Sequence, residues 1–468
     1  MGRAPSSAAA AVFAVGLVTF VTAVAAIDAR ATYGARTTSD EPQYLLTALS
    51  LAEDFDLDIS DEIDERAFTP FHEVDLNTQT IDLNESGQRL SPHDPLLPVV
   101  LAVPMGLGGW EAAKATLALI SALTAATTTH LAIRRFDVAP MVAALIVGGL
   151  FVSPPLTAYA TQVYPEMPAA GLTVAAVGAL LSPTTRPSRL GIAFIALVCL
   201  PWLAVKYVPV AAILGVALLA KTPIRHRPLL VGATAVAAAT YLLAHQRIYG
   251  GWTVYAAGDH FVDGEFRVVG DNPDYVGRTR RIVGLLVDRG FGLIAWAPAW
   301  IALVPALGSM ARRRVPGWVL LTSTIAAGWV VATWVALTMH GWWWPGRQLV
   351  VILPLGAIAI ATMADRLRRV VPWLAAATLL AVFSWLWLVV EASTDRRTLI
   401  VDFETTASPW YRVWRLVLPD HRRLGAFDIA LTAGWMALLL AVTALAVRQP
   451  ATGPTDRVSE HSKALTRG

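Results

Sequence analysis

Long apolar runs, each ended by charged residues, recur along the whole chain. They cover residues 8–27, 110–133, 140–152, 168–181, 190–203, 208–220, 229–244, 291–310, 318–339, 349–363, 373–390 and 427–447. A helix needs about 20 apolar residues to cross a bilayer core, and several runs are shorter. The pattern therefore predicts an all-α polytopic membrane protein with about 12 transmembrane helices, between about 10 and 13. The first run resembles a signal peptide but is longer than a usual one, so we expect an uncleaved helix.

The composition excludes a soluble enzyme. Of 468 residues, 55% are hydrophobic and 15% are charged, whereas soluble proteins carry roughly 25% charged residues. The net charge is only +3 and no basic cluster is interleaved with aromatic residues, so nucleic acid is not an expected partner. The single Cys199 excludes an intrachain disulfide. Few of the basic residues are Lys, a bias common in high-GC bacterial genomes.

The distribution of charge between the runs predicts the orientation. Alternate connections are rich in arginine and lysine, which marks the cytoplasmic side. The segment 28–109 instead carries 16 acidic residues and four arginines. We therefore expect a bacterial plasma-membrane protein with a cytoplasmic N-terminus and an extracytoplasmic first loop. The predicted order is a first helix (1–27), the acidic loop (28–109), a helical bundle (110–245), a second loop (246–290), a second bundle (291–391), a third loop (392–425), a last helix (426–447) and a cytoplasmic tail (448–468).

Two adjacent carboxylates, Asp40 and Glu41, precede a short helical pattern in the first loop. Leu45, Ala48, Leu49 and Ala52 recur at helical spacing, which predicts an amphipathic helix on the membrane surface. A structural interpretation is that residue 39 or 40 caps this helix. A functional interpretation is that one carboxylate acts as a general base on an acceptor hydroxyl.

Four segments carry a resemblance to a known superfamily. They are residues 38–44, 91–98, 162–166 and 342–349. With a first helix followed by an acidic loop, this pattern resembles the GT-C superfamily of integral membrane glycosyltransferases over roughly residues 1–365. Protein O-mannosyltransferases, aminoarabinose transferases and actinobacterial envelope mannosyl- and arabinosyltransferases belong to that superfamily.

The resemblance implies a hexosyl- or pentosyltransferase that acts with inversion at the extracytoplasmic face. The donor would be a polyprenyl-phosphate sugar, and the acceptor a glycan, a lipid or a protein. Asp40 matches the catalytic base, and Glu41 is the alternative. No cofactor is expected, because a lipid phosphate is already a competent leaving group. Apart from these substrates, membrane lipids are the expected partners.

A lipid-phosphate donor requires cations at the membrane border. Lys206 interrupts an apolar stretch, and Arg347 with His340 flanks a tryptophan triplet. We predict that these residues bind the donor phosphate. The structural alternatives are a snorkelling lysine and an arginine anchor within an aromatic belt.

Two further pairs are candidates for binding the donor or the acceptor. Tyr164 and Glu166 lie at the outer end of the third run, where an acid often caps a helix or forms an ion pair. His93 and Asp94 lie between two prolines, a pattern also typical of a turn.

No metal site is predicted. The nine histidines are scattered, which gives no zinc-binding pattern. An acidic run in the first loop lacks the glycine and spacing of an EF-hand, so we interpret it as a solvated surface. Its members are Asp54, Asp56, Asp58, Asp61, Glu62, Asp64 and Glu65.

A transporter or lipid flippase is the alternative function. Such a protein is expected to carry internal repeats and charged residues in the middle of its spans. The runs contain few ionisable residues besides Lys114 and His130, and no repeat is evident. The acidic loop beside the membrane therefore favours an enzyme.

Overall fold

The chain folds almost entirely into α-helices. The structure, a computed structural model, describes residues 5–83, 88–184, 186–254 and 274–448. The helices are α1 (Pro5–Val24), α2 (Glu41–Glu53), α3 (Ser60–Asp64), α4 (Leu96–Arg135), α5 (Pro140–Ala143), α6 (Gly149–Phe151), α7 (Glu166–Leu180), α8 (Pro187–Leu203), α9 (Val208–Lys221), α10 (Arg227–Tyr249), α11 (Tyr275–Arg278), α12 (Arg281–Val287), α13 (Leu293–Trp296), α14 (Leu303–Arg312), α15 (Trp318–Val330), α16 (Leu353–Arg366), α17 (Val371–Ser393), α18 (Pro409–Trp414) and α19 (Ala426–Arg448). Two short antiparallel strands, β1 (Ile81–Leu83) and β2 (Gln88–Leu90), pair with Ile81 opposite Leu90. The predicted tail beyond residue 448 and residues 255–273 of the second loop lie outside the described residues.

Six helices of the described chain are long and apolar enough to cross a membrane. They are Ser7–Val24, Leu96–Arg135, Ile224–Tyr249, Trp318–Val335, Arg368–Ser393 and Ala426–Arg448, and each coincides with a predicted run. Three shorter apolar helices, Pro140–Phe151, Glu166–Leu180 and Pro187–Leu203, coincide with three more. The prediction of an all-α, multi-pass membrane protein is confirmed. The other three runs form α9, α14 and α16, of 14, 10 and 14 residues.

Helix α4 organises the first half of the molecule. Its 40 residues continue across a break at Gly108 and Gly109, whose backbone angles are not helical. Gly109 has a φ of +65°, which favours glycine because a Cβ would be strained there. The break divides α4 into two segments. The second contains the predicted apolar run 110–133, and the first begins at Leu96, before that run.

Helix α2 is largely covered by protein. It packs against α4, as do α1 and α7. Nine of its 13 residues are buried, from Glu41 to Ala48 and Ser50. Contact with a neighbouring helix buries polar and apolar faces alike, which a helical period alone does not predict. The start of α2 is therefore held at a fixed place in the bundle.

Candidate active site

Four charged side chains from distant parts of the sequence form a continuous chain of ion pairs. Arg347 donates from Nη2 to Asp40 at 2.8 Å and from Nε to Glu166 at 3.0 Å. Lys206 donates to the same Glu166 oxygen at 2.8 Å and to the side-chain oxygen of Gln348 at 3.0 Å. The structure thus brings together one predicted base, both predicted phosphate-binding cations and Glu166.

Each of these side chains stands at a helix end. Asp40 directly precedes α2, and Glu166 is the first residue of α7. Lys206 lies in a 3₁₀ turn between α8 and α9, and Arg347 begins another 3₁₀ turn before α16. The preceding Gly346 has a φ of +83°, and a Cβ there would lie 2.9 Å from the Leu293 side chain. A glycine at this position therefore sets the direction from which Arg347 enters the site.

The cluster is buried, with an opening at Asp40. The side chain of Glu166 is 1% exposed, those of Arg347 and Lys206 are 8% and 11% exposed, and that of Asp40 is 17% exposed. Two cations around one buried carboxylate stabilise its charge, since an unpaired buried charge is strongly unfavourable. Lys206 and Arg347 are therefore neither a snorkelling lysine nor an exposed anchor.

Asp40 is held in its ionised form. Burial alone would raise the pKa of this carboxyl, but the positive charge of Arg347 and the neighbouring His93 outweigh burial and hold the pKa well below its usual range. The Asp40 side chain makes no capping hydrogen bond to α2. Its other oxygen accepts a bond from the hydroxyl of Ser39 at 2.9 Å. The capping interpretation of Asp40 is therefore wrong.

Aromatic rings and His93 surround the Asp40–Arg347 pair. The guanidinium of Arg347 lies 3.8 Å from the ring centroid of Tyr164. His93 Nε2 is 3.6 Å from the Asp40 carboxylate, and the His93 ring lies 4.5 Å from that of Tyr44. The stacked ring of Tyr164 restricts the guanidinium to one plane, which suits bidentate binding of an oxyanion.

Glu41 has a different environment from Asp40. It is fully buried, and its two oxygens accept hydrogen bonds from the backbone N–H groups of Thr38 and Val163 at 3.2 and 2.8 Å. Burial raises the pKa of Glu41, while Lys114 and these N–H groups oppose the rise. Glu41 thus ties the loop before α2 to the loop before α7, and it does not reach the opening of the cluster.

We expect Glu41→Gln to reduce stability more than activity. The amide retains one acceptor oxygen but loses the other, and a buried N–H left without its charged partner costs about 1–3 kcal/mol. The apparent melting temperature of the purified protein should therefore fall, while turnover per folded molecule stays within about tenfold of the parent. A turnover loss beyond 100-fold with an unchanged melting temperature would assign the chemistry to Glu41.

Asp94 lies outside the chain of ion pairs and holds the backbone next to Lys206 in place. One of its oxygens accepts bonds from Tyr241 and His245 at 2.8 and 2.9 Å, and the other accepts the backbone N–H of Val205 at 3.0 Å. Since Lys206 follows Val205 directly, Asp94 fixes the turn that carries the lysine. Asp94 is only 4% exposed, and both of its oxygens already accept hydrogen bonds from protein groups.

His340 belongs to another group of side chains. Its Nε2 is 4.0 Å from Asp288, whose second oxygen lies 3.5 Å from His421. The described ion pairs and ring contacts of His340 involve no member of the Asp40–Lys206 cluster. Proximity to Arg347 in sequence is therefore not matched by a contact in space, because the tryptophan triplet and a glycine turn separate them.

Two residues of the site were not among the predicted site residues. Gln348 contacts Lys206, and His245 supports Asp94 although it stands at the end of an apolar run. A histidine directly after an apolar run was the available sequence signal for His245. For Gln348 the adjacency to Arg347 was the only signal.

No family model and no curated protein matches the chain. Two solved structures are similar to it: ArnT from Cupriavidus metallidurans in the apo state, with a TM-score of 0.47, 17% identity and coverage of 92% of this chain and 74% of that one, and the same protein bound to undecaprenyl phosphate, with a TM-score of 0.41, 17% identity and coverage of 93% and 72%. A similarity of this size does not assign a function. We therefore infer the function from the side chains of the site.

Proposed function

We propose that this membrane protein transfers a sugar from a polyprenyl-phosphate donor to a hydroxyl acceptor at the extracytoplasmic face. Asp40 is the general base, and Arg347 and Lys206 bind the phosphate that leaves. The observation that carries the proposal is the shared Glu166, which holds a buried guanidinium and a buried ammonium together beside a partly exposed carboxylate. The GT-C resemblance of the four sequence segments supports the same assignment.

The side chains of Arg347 and Lys206 retain N–H groups that can donate hydrogen bonds to a phosphate. Within the described residues, the guanidinium of Arg347 uses Nε and Nη2 for its hydrogen bonds, so its Nη1 donors remain for a ligand. The ammonium of Lys206 has three donors and makes two bonds. Because Glu166 already holds both cationic side chains in place, they need little reorganisation when negative charge develops on the leaving phosphate.

Donor binding changes the basicity of Asp40. A carboxylate paired with arginine accepts a proton poorly, because the cation stabilises its ionised form. When the donor phosphate takes part of the Arg347 charge, the pKa of Asp40 rises toward that of an effective base. The base is thus weak before the donor arrives and becomes effective only when the donor is bound.

The reaction then follows an inverting course. The acceptor oxygen gives its proton to Asp40 and attacks the anomeric carbon from the face opposite the phosphate. The bond between that carbon and the phosphate oxygen breaks, and its electron pair leaves with the lipid phosphate. Arg347 and Lys206 stabilise the negative charge of the departing group.

The location of the cluster favours an enzyme over a transporter. The four charged residues stand in loops and at helix ends, and none lies within the six long apolar helices. Transport pathways instead place ionisable groups in mid-span.

The proposal is tested by lipid binding and by the product. In nanodiscs, undecaprenyl phosphate should bind the parent protein and bind the double variant Lys206→Ala/Arg347→Ala at least about tenfold more weakly. Mass spectrometry of envelope glycolipids and glycoproteins should show a glycan that is absent from a deletion strain. Equal lipid binding by the double variant, or an unchanged glycan profile, would contradict the proposal.

The predicted orientation has its own test. Thr78 is an exposed residue of the acidic loop. Pro316 is an exposed residue beside the basic residues at the end of α14. In a Cys199→Ala background, we expect Thr78→Cys to react with a membrane-impermeant maleimide in intact cells. Pro316→Cys should react only after permeabilisation. Labelling of both cysteines from the same side would disprove the arrangement.

A further inference from the structure

A second group of carboxylates lies at the far end of α2 from Asp40. Asp54 directly follows α2, and Asp61 and Glu62 are in the first turn of α3. One carboxylate oxygen from each of the three residues lies within 4.8 Å of the other two. Three negative charges at this separation repel one another unless a cation or protons neutralise them.

Two other acids of the same run have structural partners. Asp58 accepts hydrogen bonds from the backbone N–H groups of Ser60 and Arg89 at 3.1 and 3.0 Å. Asp64 forms an ion pair with the Arg89 side chain. These bonds fix the start of α3 against β2 and so hold the carboxylates of α3 beside the end of α2. No ion pair among the described residues includes Asp54, Asp61 or Glu62.

Glu62 is the decisive member of this group. It is only 4% exposed, and in the described part of the chain neither of its carboxylate oxygens has a hydrogen-bond partner. The interpretation of the acidic run as a solvated surface is therefore wrong for Glu62. The helical turn of α3 directs this one acid into the interior, while its neighbours face solvent. A buried carboxylate without a partner costs several kcal/mol unless something supplies one.

Asp54 directly follows the carboxyl end of α2. The last carbonyl groups of a helix lack helical partners, and the helix dipole places partial negative charge there. Calcium binds six to eight oxygen ligands, mostly carboxylates, carbonyl groups and water. Its bond lengths of about 2.3–2.6 Å are compatible with three carboxylate oxygens that all lie within 4.8 Å of one another.

We propose that Asp54, Asp61 and Glu62 bind one calcium ion that joins the end of α2 to α3. The ion supplies the partner that Glu62 lacks and neutralises the two exposed acids beside it. Since α2 begins next to Asp40, the ion stabilises the loop that carries the catalytic carboxylate from the opposite end of the same helix. This role is structural and is independent of the sugar-transfer proposal.

Calcium binding to the full-length protein tests the inference. After purification in detergent with EDTA and removal of the chelator, calcium chloride should bind with a dissociation constant of about 10⁻⁴–10⁻³ M, the range of extracellular calcium modules. Saturating calcium should raise the apparent melting temperature by about 2 °C or more. Magnesium chloride at the same concentration should give a smaller increase. Isothermal titration calorimetry and thermal unfolding measure these quantities without an activity assay.

Matched variants locate the site. Glu62→Gln should weaken calcium binding by about tenfold or more, because one charged ligand is lost. It should also keep or raise the melting temperature of the metal-free protein, because it removes a buried unpaired charge. Glu65→Gln, an exposed acid of the same segment, should keep the calcium response.

Two results would overturn the inference. One is a parent protein whose melting temperature and calorimetric signal do not respond to calcium. Burial and the neighbouring Asp61 and Asp54 raise the pKa of Glu62 to about 8. If the protein does not respond to calcium and its metal-free melting temperature rises as the pH falls from about 8, a proton on Glu62 takes the place of the ion. The other is an equal calcium response in Glu62→Gln.

Discussion

Asp40→Asn is expected to reduce sugar transfer by roughly 10² to 10⁴, the usual contribution of a general base, while the fold survives. Asparagine has the size of aspartate but does not accept the acceptor's proton. The Asp40 side chain makes no capping bond to α2, so the helix loses nothing by the change. Arg347 keeps its bond to Glu166, which retains the guanidinium in the site. Transfer by purified protein in nanodiscs, with lipid-linked sugars extracted from the source membrane as donor, measures the loss.

The control for this change is Asp75→Asn. Asp75 is an exposed acid of the same loop, paired only with the exposed Arg66 among the described ion pairs, and its replacement should leave transfer unchanged. Melting temperatures of both variants should stay near that of the parent. An active Asp40→Asn protein would move the assignment of the base to another group. Inactivity that accompanies a large fall in melting temperature would instead indicate a structural role.

Arg347→Ala is expected to reduce transfer by about 10²–10³, the loss typical of removing one donor to a developing negative charge. It also leaves Asp40 and Glu166 without their shared partner, which lowers stability. Arg347→Lys is therefore the informative variant. It keeps the positive charge but loses the planar fork and the stacking on Tyr164, so transfer should lie between that of the parent and that of Arg347→Ala. Lys206→Ala should weaken donor binding, and Lys221→Ala, at the other end of α9, is its matched control.

The pH profile gives a second measure of the Asp40–Arg347 pair. Arg347 holds the pKa of Asp40 down, so removing the cation raises that pKa. The residual activity of Arg347→Ala should therefore fall on acidification at a higher pH than that of the parent, because Asp40 becomes protonated earlier. An identical acid limb in both proteins would show that the two side chains do not interact during turnover. Parental rates in both Arg347→Ala and Lys206→Ala would place the donor phosphate elsewhere.

The long helices were predictable because a bilayer imposes a local rule. Backbone groups in lipid bond within their own segment, so a span such as Trp318–Val335 follows from its own apolar composition. The ends of individual helices did not follow from hydropathy alone. Helix α4 begins at Leu96 and breaks at Gly108 and Gly109, where packing against α1, α2 and α7 matters more than hydropathy.

For the site, the residue types were predictable and their partners in space were not. Asp40, Lys206 and Arg347 were candidates because a charged residue beside an apolar segment is energetically unfavourable unless it has a partner or a function. Their sequence context did not show that Glu166 links the two cations, that Glu41 bonds two backbone N–H groups, or that His340 lies in another group.

Sequence alone determined the membrane class, the helical character, the places of the long spans and the charged residues worth testing, because each depends on composition within a short window. Only the tertiary structure decided which of two adjacent carboxylates is paired with Arg347 and which is buried against backbone. Adjacent residues at a helix start point in different directions, and their partners come from segments more than 100 positions away, such as Val163 for Glu41 and Arg347 for Asp40. The burial of Glu62 among exposed acids has the same origin. Its environment is set by how α3 packs beside α2, which the acidic composition of the run does not encode.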